Sequence, residues 1–570
     1  MLLTRRQFLP IAAATVALGG LGGGLRQAAA QQKIGLDQLL AFKPKGQVTL
    51  LHMTDCHAQL RPLYFREPSV NIGVGGLDRE PPHLTGTEML EAFHIAAGSH
   101  EAYALSSEDF EALALTYGRV GGMDRMATLV NAIRSDRGAD NCLFLDGGDA
   151  LQGSYTALKS EGGDMVRVLE ALGVEATTGH WEFTLGHKRV TDLFGNKDRK
   201  GSSKLQFLAA NVRDTDFEEP VFKGWHMVEK GGLLIAVIGQ AFPYTAVANP
   251  RWMVPKWWFG IREAALARLV GHVRRSGADL IVLLSHNGFD VDRKLAGRVP
   301  GIDVILSGHT HDAMPRPMRV GTTLIVASGS HGKFLSRLDV QMSAGRIVDW
   351  NYALIPVLAD AIPPDPVMAG LIRDIRAPDA AMLSTELART ETSLWRRGNF
   401  GGTFDDLICD ALLSERDAEI ALSPGFRWGG SLLPGQSITW DDIYNATAIT
   451  YPAAYRTEIR GAFLKTILED VADNLFNPDP YYQQGGDMVR VGGMSFVVRP
   501  DAPIGDRISD LVLVRTGEAI EPTRSYVVAG WGSVNEGTAG PPVWDVVASH
   551  LKTQKTIKSL ARKNVTLKRG

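Results

Sequence analysis

The sequence predicts an α/β fold built in two parts, and three observations lead there. Apolar runs of strand length recur from Val48 to about Leu354, separated by segments of helical character. Residue types that bind metals follow soon after four of these runs: Val48–Met53, 142–145, 280–284 and 304–306. Pro356, Pro363, Pro364 and Pro366 then interrupt the pattern before a second region of mixed helices and strands begins.

Taken in order, residues 1–30 read as an export signal. Thr4-Arg5-Arg6-Gln7-Phe8-Leu9 is a twin-arginine pattern, followed by an alanine- and glycine-diluted apolar stretch and a small-residue cleavage site at Ala28-Ala29-Ala30. Its apolar core is too short to span a bilayer, and no later run reaches about 18 apolar residues. The expectation is a periplasmic protein without a membrane span. Residues 31–360 form the predicted metal domain, 361–382 a linker with a helix over 366–382, and 383–570 the second domain. Within the first, residues 59–118 read as a long polar insertion with poor periodicity, a loop of the kind that is commonly functional. The basic tail 552–569 has helical spacing and reads as a solvated helix face.

The runs in the first domain are largely apolar, which marks strands covered on both faces. Ligands at the carboxyl ends of neighbouring parallel strands converge on one rim of the sheet. Asp55-Cys56-His57, Gly147-Gly148-Asp149, Gly179-His180, Ser285-His286-Asn287 and Gly308-His309-Thr310-His311 occupy such positions. Two cations roughly 3.5–4 Å apart need a shared carboxylate, several neutral imidazoles and an open position for water or substrate. Asp149 is the natural bridge. Asp55, His57 and His311 would complete one site, and His180, His286 and His309 the other. Imidazoles and carboxylates without thiolate suit manganese, zinc or iron. His331 also follows a strand, 324–327, and reads as structural.

Composition agrees with a large globular enzyme: 45% apolar and 22% charged residues in a 570-residue chain. Loss of Arg5, Arg6 and Arg26 with the signal takes the net charge from −3 to −6, which disfavours nucleic acid and anionic membranes as partners. Three cysteines do not make a disulfide framework. Cys142 and Cys409 read as buried fillers, the latter in a helix over 404–413, and Cys56 should point inward between two ligands.

The order of these motifs resembles the calcineurin-like metallophosphoesterases, and specifically their 5′-nucleotidase branch. That resemblance implies a four-layer sandwich, two β-sheets flanked by helices, with a C-terminal α+β nucleotidase-like domain. Ser423-Pro424-Gly425-Phe426-Arg427 sits where that branch has a glycine-rich segment ending in a substrate-binding arginine. One motif departs from the pattern. The nucleotidases have Gly-Asn-His-Glu-Phe-Asp, with a catalytic histidine and its aspartate partner, where this chain has Gly179-His180-Trp181-Glu182-Phe183-Thr184. This variant, with Arg396-Arg397-Gly398-Asn399-Phe400 and Tyr481-Tyr482-Gln483-Gln484-Gly485-Gly486-Asp487, is similar to the SoxB family of periplasmic sulfur oxidation.

The resemblance implies a thiosulfohydrolase with two manganese ions. Such an enzyme hydrolyses the terminal sulfone from a cysteine S-thiosulfonate on the swinging arm of the SoxYZ carrier and releases sulfate. Trp181 and Arg427 are then the expected catalytic positions. Arg427, Arg396, Arg397, Asn399, Tyr482 and Trp531 are expected to bind substrate, because guanidinium forks pair with sulfonate oxygens and aromatic rings can line a channel. The alternative is a periplasmic 5′-nucleotidase or phosphodiesterase, which the missing His/Asp pair opposes. The chain shows no coiled-coil pattern, so a monomer is expected.

Overall fold

The computed structural model describes residues 34–196, 200–558, 560 and 564–569; the twin-arginine leader lies outside the described residues. Two six-stranded sheets form the first domain. One runs in the order Arg346–Pro356, Phe334–Ser343, Val48–Met53, Cys142–Asp146, Ala176–Thr177, Gln206–Phe207. The other runs Met318–Val320, Thr323–Ala327, Val304–Ser307, Leu280–Ser285, Leu233–Gln240, Trp225–Lys230.

Side chains alternate along each central strand, and both sets are buried. Val48, Leu50, Leu143 and Leu145 face Val237, Val282, Leu284, Val304 and Leu306 across the space between the sheets. Leu51, Met53 and Phe144 point the other way, onto helices Met123–Arg137 and Gly163–Leu172. Ile281, Leu283 and Ile305 likewise pack under Glu263–Arg275 and Phe289–Arg298. The result is four layers, helix, sheet, sheet, helix, and it accounts for the largely apolar runs.

Pairing fixes the active edge. Val48–Met53, Cys142–Asp146 and Ala176–Thr177 are parallel neighbours, as are Leu233–Gln240, Leu280–Ser285 and Val304–Ser307. Met53 is opposite Asp146, Asp146 opposite Thr177, and Ser285 opposite Ser307, so the chain leaves both sheets at one level.

The second domain is α+β, with sheets of three, four and four strands and helices Thr403–Glu415, Gly461–Phe476 and Val543–Gln554. Between the domains runs helix Pro366–Arg376, capped by Asp365, whose carboxylate accepts from the Val367 and Met368 amides. The expected helix over 366–382 is broken there and resumes only as Ala377–Asp379 and Ala380–Leu383.

Two expectations need correction. Residues 59–118 are not one loop, for they contain helices Gly86–Phe93, His100–Leu105 and Phe110–Tyr117. Short amphipathic helices of six to eight residues leave too weak a period to read. Tyr103, Phe110 and Leu113 dock them on the first domain, while Ile72 and Val74 are buried against Leu422, Leu464 and Met494 of the second. The basic tail is not a helix face either. The helix ends at Gln554 and the chain continues into strands Thr556–Ile557 and Val565–Leu567.

Asp292, in the helix after Leu280–Ser285, ties the active edge together. It is fully buried and accepts from Ser285 Oγ (2.7 Å), Asn287 Nδ2 (3.0 Å) and Ser307 Oγ (2.6 Å). Asp292→Ala leaves those three donors unpaired and is expected to cost about 3 kcal/mol. Urea denaturation checks this as a lowered midpoint with an unchanged slope.

Candidate dinuclear metal site

Seven side chains meet where the strands end. Ligating atoms of Asp55, His57, Asp149 and His311 lie within 4.8 Å of one another, as do those of His180, His286 and His309. The Asp149 carboxylate stands between the groups, its Oδ2 being 3.4 Å from His57 Nε2, 3.2 Å from His180 Nδ1 and 3.7 Å from His286 Nε2. His57 Nε2 and His311 Nε2 are 3.1 Å apart, and His311 Nε2 is 3.3 Å from Asp55 Oδ1.

The backbone takes an unusual path to achieve this. Asp55, His57, Asp149, His309 and His311 all have positive φ, between 45° and 77°. Each such residue costs on the order of 1–3 kcal/mol, and these positions cluster at functional sites. Hydrogen bonds between loops hold them: the Asp55 amide donates to Gly148, His57 to Asp149, and His331 to Asp55. Glu182 is fully enclosed and braces two of the loops, its carboxylate accepting from the amides of His180 (2.7 Å) and Ala150 (2.8 Å). Only its place in the Gly-His-Trp-Glu motif marked this residue in the sequence.

Outer partners fix the tautomers. A carbonyl can only accept, so His286 Nδ1 donates to Gly147 (2.7 Å) and His309 Nε2 to Gln484 (2.9 Å). The other nitrogens, His286 Nε2 and His309 Nδ1, are buried and make no protein hydrogen bond; His286 Nε2 faces Asp55 and Asp149 at 3.6 and 3.7 Å. Imidazoles held this way, with an orphaned nitrogen beside shared carboxylates, fit a pair of divalent cations. The donor set carries no thiolate, for Cys56 is buried and free, and burial raises its pKa well above the ordinary thiol value.

Electrostatics point the same way. Burial opposes ionisation of Asp149, yet His57 and His180 hold its pKa well below the usual carboxylate range. Burial drives His309 and His311 far down and His180 down to about 4, so all three are neutral. His286 moves oppositely: against the burial penalty, Asp55 and Asp149 push it up to about 9.

The second domain reaches directly into this centre. Arg397 donates to the Thr310 carbonyl (2.8 Å) and the His311 carbonyl (2.9 Å), and Arg427 Nη1 to the Thr310 carbonyl (3.1 Å). The Gly429 amide donates to His331 Nε2 (3.2 Å), and Ser330 Oγ lies 2.7 Å from its Nδ1. His331 therefore has both nitrogens engaged by protein. Gly485 lies over His309, where a Cβ would sit 2.5 Å from Nε2, and its φ of +73° also favours glycine.

Other expected substrate residues fall elsewhere. Arg396 is buried on Asp405 and the carbonyls of Ala446 and Trp428, so it braces the second domain and does not face the metal ligands. Asn399 is spent on the Ile72 amide and Asp487, and Trp531 is a core residue whose indole N–H donates to Ser423 Oγ. Their polar groups satisfy buried neighbours, which one-dimensional motif reading does not resolve. Tyr482 is 65% exposed. Trp181 stays at the centre, its amide donating to Asp149 Oδ1 (3.3 Å) and its ring packed on Phe426, Trp428 and Tyr451.

Comparison with known proteins follows this geometry. The calcineurin-like phosphoesterase family matches residues 48–313, and the 5′-nucleotidase C-terminal domain family residues 381–546. The structure of a sulfate thiohydrolase SoxB from Thermus thermophilus superposes with a TM-score of 0.88 at 37% identity, covering 92% of this chain and 97% of that one. The chain belongs to the SoxB family. A 5′-nucleotidase precursor, also from Thermus thermophilus, shares the fold at a TM-score of 0.71 and 21% identity, over 91% of this chain and 99% of that one. The bovine 5′-nucleotidase is 24% identical over 466 residues, 73% of this chain and 77% of its own length. This SoxB-family chain is thus a metallophosphoesterase-type hydrolase with a candidate dinuclear metal site.

Two outcomes test the site. In the metal-free protein His286 carries a proton below about pH 9, and a ligating imidazole must be neutral. Metal binding at pH 7 is therefore expected to release a proton and to strengthen as pH rises toward 9; calorimetry in buffers of different ionisation enthalpy reads the release. Gly485→Ala, which pushes on His309, is expected to weaken manganese binding by about 10–100-fold, read by equilibrium dialysis.

Proposed function

We propose that the protein is a thiosulfohydrolase, releasing sulfate from a cysteine S-thiosulfonate on the arm of a SoxYZ-type carrier. The observation that carries this reading is Trp181. In the nucleotidases this position is a histidine that assists the leaving group; here it is an indole walled in by Phe426, Trp428 and Tyr451, with Thr184 turned back onto the Trp181 carbonyl. A nucleotide ester expels an alkoxide, which needs a positioned acid worth about 10²–10⁴ in rate. A persulfide anion is far less basic and leaves without one. The 37% identity to a sulfate thiohydrolase over nearly the whole chain supports the same reading.

Asp55, His57, Asp149 and His311 would hold one metal ion, and Asp149, His180, His286 and His309 the other, with manganese as the proposed metal. When bound, the pair supplies Lewis acidity and lowers the pKa of water. Asp149, held ionised by its imidazoles, stands ready to bridge. Arg427, which with Arg397 borders the His309–His311 loop, would meet sulfonate oxygens by exchanging part of its hydrogen bonding to Asp487, Thr310 and Gly486 for them. Trp181 and Phe426 keep bulk water from the departing sulfur. Export through the twin-arginine leader would place the enzyme in the periplasm as a folded monomer.

Manganese-loaded protein is expected to release sulfate from a carrier peptide bearing cysteine S-thiosulfonate, and to hydrolyse AMP at least about 100-fold more slowly. Ordinary AMP turnover without sulfate release would instead favour the nucleotidase. Trp181→His with Thr184→Asp should raise phosphoesterase activity about tenfold or more; no gain would remove the leaving-group explanation.

A further inference from the structure

A second cationic site is lined by none of the seven metal-ligand candidates. Between the domains is a cavity of about 470 Å³ lined by four guanidiniums, those of Arg61, Arg119, Arg376 and Arg389, and by the carboxylates of Asp441 and Asp442. Both carboxylates are already engaged. Asp441 accepts from Arg61 Nη2 and Arg376 Nη2, each at 2.8 Å. Asp442 caps its own helix, accepting from the Thr439 amide (2.8 Å) and hydroxyl (2.6 Å).

Arg389 has Glu386 beside it at 3.1 Å. Arg119 rests on the face of Tyr64, 5.5 Å from the ring centroid. Four guanidiniums face three carboxylates, Asp441, Asp442 and Glu386, so positive charge exceeds negative by one in a walled space, which favours an anion there.

We propose that this cleft binds a tetrahedral oxyanion of the sulfate or phosphate class. Guanidinium forks match such oxygens in geometry, and a divalent anion satisfies several at once. The origin of the walls gives the site a consequence. Arg61 and Arg119 belong to the first domain, Arg376 ends the linker helix Pro366–Arg376, and Arg389 lies on strand Glu386–Thr390 of the second domain. An anion held among them cross-links the domains, and so favours the arrangement in which Arg397, Arg427 and Gln484 support the His309–His311 loop. Nothing in this depends on the reaction the metal site performs.

Calorimetric titration of manganese-loaded protein with sodium sulfate, at ionic strength held constant with chloride, tests the proposal, and a phosphate titration compares the two anions. Because Arg61 and Arg119 are exposed at the cavity mouth, the double substitution Arg61→Ser and Arg119→Ser should fold normally. It is expected to weaken sulfate binding about tenfold or more. Asp441→Asn should act in the opposite direction, freeing Arg61 and Arg376 and tightening sulfate binding several-fold. It should also lower the melting temperature without sulfate and regain it with sulfate. Identical sulfate affinity in wild type, the double variant and Asp441→Asn would overturn the proposal, as would a chloride response equal to that of sulfate.

Discussion

The arrangement of the molecule follows from one buried carboxylate. Asp149 is 2% exposed, and an ionised group at that depth is tolerated only where opposite charge and directed hydrogens surround it. His57, His180 and His286 surround its Oδ2, and the Trp181 amide reaches its other oxygen. The loops that carry these groups and the His309–His311 pair take left-handed φ at five residues, Asp55, His57, Asp149, His309 and His311. The loops in turn require the parallel strands of two sheets to end at one level, which the facing layers of Val48, Leu50, Val282 and Leu306 enforce.

This constraint extends across the domain boundary. The His309–Thr310–His311 loop has its carbonyls held by Arg397 and Arg427 and one imidazole held by Gln484, all from the second domain. The two arginines that hold this loop are themselves paired, Arg397 with Glu67 and Arg427 with Asp487, and Asp487 in turn with Arg490. A chain of paired charges running through both domains makes the ligand geometry a property of the closed molecule. Gly485 has no side chain because the loop that carries Gln484 must pass against His309.

Much of this was legible in the sequence, and the limit has a physical form. Largely apolar runs gave the central strands nearly to the residue, because strands buried on both faces take apolar side chains at most positions; the exceptions within Val48–Met53, Thr49 and His52, are buried and hydrogen-bonded to Asp339 and Ser328. The residues brought together at the strand ends are those that the strand-then-ligand pattern selects, from Asp55 to His311. Support residues were not legible. Glu182, Gln484 and Gly485 stand in motifs, but their partners, the amides of His180 and Ala150 and the ring of His309, are set by tertiary packing and leave no trace in the sequence. The arginines misled for a related reason. Arg396 and Arg397 are adjacent, yet one points into the second domain toward Asp405 and the other across to Thr310, a difference set by tertiary packing alone. The helices of residues 59–118 were hidden by their shortness.

The aromatic wall bears on why the metal ligands survive while the acid of the nucleotidases does not. Trp181 occupies the same turn as His180 and Glu182, so the backbone that positions a ligand and braces two loops is kept whatever side chain lies between them. Replacing an imidazole by indole removes a titratable group and adds a large apolar surface. In a water-poor pocket the remaining charges, the carboxylates and Arg427, act through a lower effective dielectric and so more strongly. Such an exchange disfavours any substrate whose departing atom must gain a proton, and leaves unharmed one whose departing atom is stable as an anion. Selectivity would then lie in what the site declines to protonate, while any affinity for a tetrahedral oxyanion would come with the fold.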